Sequence, residues 1–110
     1  KIACVCVSRA ESEAEGIGYE DIHPISGILR DCEDIELGFT MYEEEENRWR
    51  CSFRSDGKWI NVNELLKKFG GGGHAAAAGV RKRTNNMEKF RQDMLEEIIM
   101  MRKNIKKERA

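Results

Sequence analysis

Residues 70–79 form a run of four glycines, one histidine, four alanines and a closing glycine. Glycine allows positive φ, so consecutive backbone N–H groups of the run can converge into a nest for an anion. We expect a short helix over residues 75–78, whose first N–H groups would also favour an anion. His74 stands at the entry to that helix, where its ring can donate a hydrogen bond to a phosphate oxygen.

Each part of this run also has an ordinary structural explanation. A glycine run can be a flexible linker, and a lone histidine is more often structural than functional. A linker normally carries serine and other polar residues, whereas this run lies between an amphipathic helix and a helix-prone tetrad. The pattern therefore favours a phosphate site over a linker. The candidate ligand-binding residues of the run are Gly71, Gly72, Gly73, His74, Ala77 and Ala78.

A basic strand precedes the glycine run and supplies a second group of candidates. Arg54 and Ser55 close this strand, and the arginine fork matches phosphate oxygens in a bidentate way, although a solvated strand arginine is commoner. Arg48 and Arg50 are weaker candidates. The basic residues 81–83 either extend a track along a nucleic-acid backbone or protect an edge strand by charge.

Two tryptophans and a second histidine complete the candidates. Trp59 is expected near the site and could stack on a base, whereas Trp49 is expected in the core. His23 is given a structural or surface role. With two histidines 51 positions apart and no GxxxxGK[ST] loop, we expect no catalytic residue and no metal site in this chain. The four cysteines form no CxxC pair and predict buried thiols in a reduced, cytoplasmic protein.

The elements that would position these residues alternate between strands and helices. Expected strands cover residues 2–8, 35–42, 48–55 and 79–83, and residues 43–47 form a turn. Expected helices cover residues 9–15, capped by Ser8; 22–32, capped by Asp21; 60–69, capped by Asn61; and 87–107, capped by Asn85 or Asn86. This order predicts an α+β domain, with a small mixed sheet of about four to five strands, flanking helices and a long C-terminal helix.

Length and charge limit the possible classes of protein. The chain has 110 residues, enough for one domain. Its mean hydropathy is −0.64 and no uninterrupted apolar stretch approaches 18 residues, which excludes a membrane span. Residues 1–47 carry a net charge of −10 and residues 48–110 carry +9. This division fits either solvated surface charge or a second half that faces an anion.

The segment GGGHAAAAG, residues 71–79, resembles the GGGHxxAAG signature of the DHH-associated domain, the C-terminal substrate-binding domain of DHH phosphoesterases. The preceding stretch CSFRSDGKWINVNELLKKFGGGGH, residues 51–74, resembles the same domain. The resemblance is greatest to the short-oligoribonuclease and phosphoadenosine-phosphate phosphatase branch, whose members are often labelled exopolyphosphatase-related.

This resemblance implies that His74 and the glycines form a phosphate-binding loop and that Arg54, with Ser55, reaches the substrate phosphate. In the family, a manganese centre in a separate N-terminal DHH domain performs hydrolysis. The chain contains no Asp-His-His motif and begins with Lys1. We therefore expect residues 1–110 to be one domain excised from a longer enzyme, with no cofactor of its own and Mn²⁺ in the absent domain.

The expected ligands are a short oligonucleotide, a nucleotide or another phosphorylated substrate, and the expected protein partner is the DHH domain. Part of the final helix is expected to contact that domain or a second copy of this chain in a homodimer. Two rival hypotheses remain open at this point. One is a stand-alone nucleic-acid-binding module, and the other is a polyphosphate-binding domain of an exopolyphosphatase.

Overall fold

The computed structural model describes residues 1–109, which form one five-stranded sheet with flanking helices. The strands are β1 (Ile2–Val7), β2 (Leu37–Glu45), β3 (Arg48–Ser55), β4 (Gly72–His74) and β5 (Ala77–Arg83). The helices are α1 (Arg9–Glu15), α2 (Tyr19–Ile22), α3 (Ile25–Asp31), α4 (Val62–Lys67) and α5 (Met87–Arg109). The strand order is β1-β2-β3-β5-β4, in which β1 and β2 are parallel and the other neighbours antiparallel. The predicted α+β class is confirmed.

One side of the sheet packs against α4 and α5 and forms the main core. Phe39 and Phe53 stack across β2 and β3 with ring centroids 4.6 Å apart, and Met94 and Ile98 of α5 are fully buried in the same cluster. Trp49 belongs to this cluster, as predicted. Because side chains alternate along a strand, the basic residues of β3 project from the other side of the sheet.

That other side is covered by α1, α2 and α3 mainly over β1 and β2. Val7 of β1, Ile22 of α2 and Tyr42 of β2 form a smaller cluster here, against which Tyr19 and Ile25 pack. Helix α3 lies directly on β2 at Gly38, where an added Cβ would be 2.6 Å from the Cβ of Leu29. The cover reaches the near side of β3, where Tyr19 contacts Ser52, and β3, β5 and β4 form the floor of a cleft beyond it.

The predicted helix caps are confirmed at three helices. The Ser8 hydroxyl accepts a hydrogen bond from the N–H of Glu11, whose carboxylate accepts one from the N–H of Ser8, so α1 begins with a capping box. The Asn61 side chain accepts from the N–H of Glu64 at 3.1 Å and starts α4. Asn86 caps α5 in the same way.

The single helix expected over residues 22–32 is wrong. The segment is divided into α2 and α3 at His23 and Pro24, because proline has no N–H to donate to the preceding turn. The predicted N-cap Asp21 is wrong as well, because Gly18 is the N-cap of α2 and Asp21 is the third residue of that helix. The Asp21 carboxylate accepts a hydrogen bond from the N–H of Gly18 at 2.9 Å and so stabilises the start of α2. This division matters for function because Tyr19 and His23 lie at the cleft.

The hairpin between β2 and β3 is longer than predicted. β2 continues through Glu45, with a register irregularity between Glu43 and Glu45, and only residues 46–47 form the turn. Asn47 adopts a left-handed conformation with φ of 61°, which asparagine tolerates better than most residues. The acidic run is therefore mostly strand.

The short helix expected over residues 75–78 is also wrong. Residues 75–76 form a turn between β4 and β5, and Ala77 begins β5. A four-residue helix is unstable alone, because nucleating the first turn is unfavourable. Pairing of Ala77 and Ala78 with both β3 and β4 satisfies the backbone instead. No helix N-terminus therefore lies here to favour an anion.

Candidate functional site

The uncovered half of the sheet forms an open cleft with a volume of about 660 Å³. Of the predicted site residues, Arg54, the three glycines and the two alanines line it, whereas Ser55 and His74 do not. The full lining comprises Tyr19, His23, Arg50, Cys51, Ser52, Arg54, Gly70, Gly71, Gly72, Gly73, Ala77, Ala78, Gly79, Val80 and Arg81.

The strand register places the two strongest candidates in one row. Arg54 pairs with Ala77 on β5, and Ala77 pairs with His74 on β4. Directly paired residues project from the same side of a sheet. Since neighbouring strands are about 4.8 Å apart, the Cα atoms of Arg54 and His74 are about 10 Å apart. Only the methyl group of Ala77 lies between the two side chains. His74 is exposed at the rim, beside the cleft. A phosphate above Ala77 could therefore receive hydrogen bonds from both sides.

The next rows of the sheet combine small residues with positive charge. Ser52 pairs with Gly79, which pairs with Gly72, so this row carries one short side chain. In the following row, Arg50 lies directly opposite Arg81. The cleft therefore has a floor of glycine and alanine that lets a ligand approach the backbone, with arginines at both ends.

Two of the arginines that line the cleft lack acidic partners. Within residues 1–109, no carboxylate oxygen lies within 4.0 Å of the guanidinium of Arg50 or Arg54, although both side chains are partly buried. Arg81 has only an exposed contact, with its Nε 3.7 Å from Oε1 of Glu44. The cleft is therefore an uncompensated positive site.

Helix α2 contributes a polar cluster that the sequence analysis missed. The Tyr19 hydroxyl lies 3.1 Å from Oγ of Ser52 and 3.3 Å from Nδ1 of His23. The rings of Tyr19 and His23 stack with centroids 5.2 Å apart, and the guanidinium carbon of Arg50 lies 3.9 Å from the Tyr19 centroid. This cation–π contact orients Arg50. The four-residue spacing of Tyr19 and His23 was the available signal.

The glycines do not form the expected nest, because their N–H groups bond within the protein. Gly70 has φ of 86° and ends the helical segment in a Schellman motif, with the N–H of Gly71 donating to the carbonyl of Leu66 at 2.8 Å. The N–H of Gly73 donates to Oδ1 of Asn63 at 3.0 Å. These glycines instead let β4 approach its neighbours closely.

Ser55 faces the interior and is fully buried. Its hydroxyl donates to the carbonyl of Ile60 at 2.7 Å and accepts from the N–H of Gly57 at 3.0 Å. The hydroxyl therefore holds the loop that leads into α4. This geometry gives Ser55 a structural role in place of the expected phosphate contact.

Trp59 lies against α5 and does not line the cleft. Its ring is contacted by the guanidinium carbons of Arg102 and Arg109, at 3.9 and 4.2 Å from the centroid. The expected stacking of Trp59 on a base is therefore replaced by packing against arginines of the final helix.

The cysteines are all free thiols, but only Cys51 is fully buried. Cys6 and Cys32 are exposed, so the prediction of buried thiols is wrong for these two. Burial raises the pKa of the Cys4 thiol to about 12 and also raises the pKa of Cys51. Within residues 1–109, no three His, Cys, Asp or Glu side chains are grouped so as to hold a metal ion.

None of the helices in the described part of the chain combines the length and the apolar character needed to cross a membrane. Although α5 has 23 residues, charged side chains interrupt it throughout.

The domain is thus a mixed α+β sheet whose open face combines arginines with small residues. The DHHA1 domain family matches residues 3–100, and the chain belongs to this family. The predicted resemblance to DHH-associated domains is therefore confirmed.

Similar proteins come from several bacteria. Over 72 residues the chain is 39% identical to the bifunctional oligoribonuclease and PAP phosphatase NrnA of Mycoplasma pneumoniae, covering 64% of this chain and 22% of that protein. An exopolyphosphatase-related protein from Bacteroides fragilis has the same fold, with a TM-score of 0.71 and 19% identity over 90% of this chain and 30% of that one. The C-Ala domain of Aquifex aeolicus alanyl-tRNA synthetase also has it, with a TM-score of 0.67 and 15% identity over 88% of each chain.

Two of these matches are much longer than the chain. The aligned region spans less than a third of NrnA and of the exopolyphosphatase-related protein, whereas it spans most of the C-Ala domain. DHHA1 domains are normally paired with an N-terminal DHH domain in the same protein.

Proposed function

We propose that this chain is the substrate-binding domain of a manganese-dependent DHH phosphoesterase and that its cleft binds a phosphate of a short oligonucleotide or nucleotide. The row of Arg54, Ala77 and His74 on the open face is the observation that carries this proposal. The similarity to NrnA, named for oligoribonuclease and PAP phosphatase activities, supports the choice of ligand.

Each residue of the row has a distinct part in binding. The Arg54 guanidinium donates two parallel hydrogen bonds to phosphate oxygens, and His74 donates a third from the opposite side of Ala77. Arg50, oriented by the Tyr19 ring, adds positive charge at the next phosphate. No side chain of this chain attacks phosphorus in this proposal. The manganese-bearing DHH domain supplies hydrolysis, and the cleft positions the substrate for it.

The test compares Arg54→Gln and His74→Ala in a protein that carries this chain together with its DHH domain. We expect each variant to lower turnover of a phosphorylated dinucleotide about 100-fold, because a fixed electrostatic contact to phosphate is lost. The matched control is Lys103→Gln on exposed α5, which removes one charge far from the cleft. Turnover of Arg54→Gln and His74→Ala equal to the control would refute the proposal.

Binding measurements with a dinucleotide, inorganic polyphosphate and long nucleic acid distinguish the three candidate ligand classes. A phosphate receptor that belongs to a nucleotide hydrolase should prefer the dinucleotide to inorganic polyphosphate of equal charge. Preference for polyphosphate would instead favour an exopolyphosphatase. Tight binding of long nucleic acid by the 110-residue chain, with a steep salt dependence, would favour a stand-alone binding module.

The expected homodimer through the final helix stays a prediction. Ile99 and Met100 of α5 are 49% and 58% exposed, so this helix does present apolar surface. Sedimentation of the 110-residue chain over a range of concentrations would measure whether this surface is used.

A further inference from the structure

Four arginines form two opposed pairs at the end of the sheet farthest from His74. Arg50 lies directly opposite Arg81, and Arg48 lies directly opposite Arg83, on neighbouring strands β3 and β5. Because the two pairs are two positions apart, all four side chains project from the cleft side of the sheet.

Such an arrangement is unfavourable in the protein alone. Like charges placed directly opposite each other on neighbouring strands destabilise a sheet. Exposed acidic residues offset part of this repulsion: Oε2 of Glu45 lies 3.0 Å from Nη1 of Arg48, and Glu44 contacts Arg81. Such exposed pairs contribute little in water. In the described part of the chain, Arg83 has no ion pair. An anionic ligand would relieve the repulsion in both pairs.

A second cavity lies at this outer pair and adjoins the main cleft. It has a volume of about 420 Å³ and is lined by Arg48, Arg83 and Lys82, with Glu44 and Trp49. Arg81 lines both cavities, so an arginine joins them, with Glu44 as its exposed acidic neighbour.

We infer that the pair Arg48 and Arg83 forms a distal subsite for the backbone of a nucleotide chain whose terminal phosphate is held at Arg54. This inference rests on the proposed function of the main cleft. Arg54 and Arg48 are six residues apart on one strand, which corresponds to about 20 Å. A stacked nucleotide chain advances about 3.4 Å per nucleotide, so the single step of a dinucleotide falls far short of this distance. The six phosphates of a 5′-phosphorylated hexanucleotide span about 17 Å, and the long arginine side chains cover the remaining distance.

The experiment measures dissociation constants of the 110-residue chain for a fluorescently labelled dinucleotide and hexanucleotide, both 5′-phosphorylated, at low salt. We expect the hexanucleotide to bind about tenfold more tightly, as one additional charge-assisted contact would give. The variant Arg48→Gln/Arg83→Gln should remove this gain and leave dinucleotide affinity unchanged. It should also flatten the salt dependence of hexanucleotide binding.

The matched control is Lys103→Gln/Lys107→Gln, which removes the same charge from exposed positions on α5. It should retain the tenfold gain. Equal affinity of the wild-type chain for both lengths would overturn the distal subsite and leave the proposed function standing, whereas no binding of the dinucleotide would overturn both. A double-variant defect seen with inorganic polyphosphate but not with the hexanucleotide would contradict a nucleotide ligand.

Discussion

Arg102 and Arg54 show two opposite uses of arginine in one small domain. Arg102 on α5 donates to both carboxylate oxygens of Glu36, at 2.6 and 2.8 Å, and its guanidinium lies over the Trp59 ring. Arg54 on β3 has no carboxylate partner within the described chain, although it is also partly buried. One guanidinium is used to hold the final helix, and the other is left available.

Position in the fold decides what each of these basic residues does. Glu36 lies just before β2, where it meets α5, whereas no acidic side chain projects from the floor of the cleft. The acidic residues 43–46 belong largely to the hairpin at the other end of the sheet. Net charge by itself therefore does not distinguish these two kinds of arginine, whereas the presence or absence of a carboxylate partner does.

The largest expected effect comes from breaking the Arg102 pair. Arg102→Gln removes the bidentate contact and leaves Glu36 without its partner, so we expect a loss of about 2–3 kcal/mol in the free energy of unfolding. Urea denaturation measures this loss. Dinucleotide affinity should be unchanged, because Arg102 is outside the cleft.

Arg109→Gln loses the other, more exposed contact to Trp59. It should lower the free energy of unfolding by less than about 1 kcal/mol.

Arg54→Gln should have the opposite effect to Arg102→Gln, lowering dinucleotide affinity and leaving stability nearly unchanged. We expect dinucleotide affinity to fall about tenfold, equivalent to roughly 1.4 kcal/mol, with the free energy of unfolding within about 0.5 kcal/mol of the wild type. Binding titrations and urea denaturation on one preparation measure both quantities. A substantial loss of stability without a loss of affinity would place Arg54 in the same class as Arg102.

The smallest effect is expected at the cation–π contact that orients Arg50. Tyr19→Leu removes the aromatic face and should weaken binding two- to fivefold, or about 0.5–1 kcal/mol. Tyr19→Phe keeps the ring and loses only the contacts to Ser52 and His23, so its affinity should lie between Tyr19→Leu and wild type. Equal affinities for Tyr19→Leu and Tyr19→Phe would assign the effect to the hydroxyl.

Local patterns were sufficient to predict much of the fold. Alternation along β3, the caps Ser8 and Asn61, and the apolar stripe of α5 depend on neighbouring residues, and each was predicted correctly. The alanine segment failed because pairing with two strands outweighs the helix preference of alanine. That pairing joins residues distant in sequence, so no local pattern records it.

In the candidate site too, some residues were predicted from local sequence patterns and others depend on distant contacts. Arg54 was found from its place at the end of a basic strand, and His74 from the signature that contains it. The inward direction of Ser55 and the use of glycine N–H groups by Leu66 and Asn63 depend on tertiary contacts. Tyr19 was missed because its role requires α2 to lie beside β3.

An amide-resolved NMR titration of the 110-residue chain with a 5′-phosphorylated dinucleotide would show which residues of the sheet contact the phosphate. We predict shifts at Arg54, Ala77, His74 and the adjoining Gly72 and Gly79, and none around Trp59 and Arg102. The shifts should disappear in Arg54→Gln. Shifts concentrated on α5, or none at all at saturating ligand, would contradict the assignment of the open sheet face as the phosphate receptor.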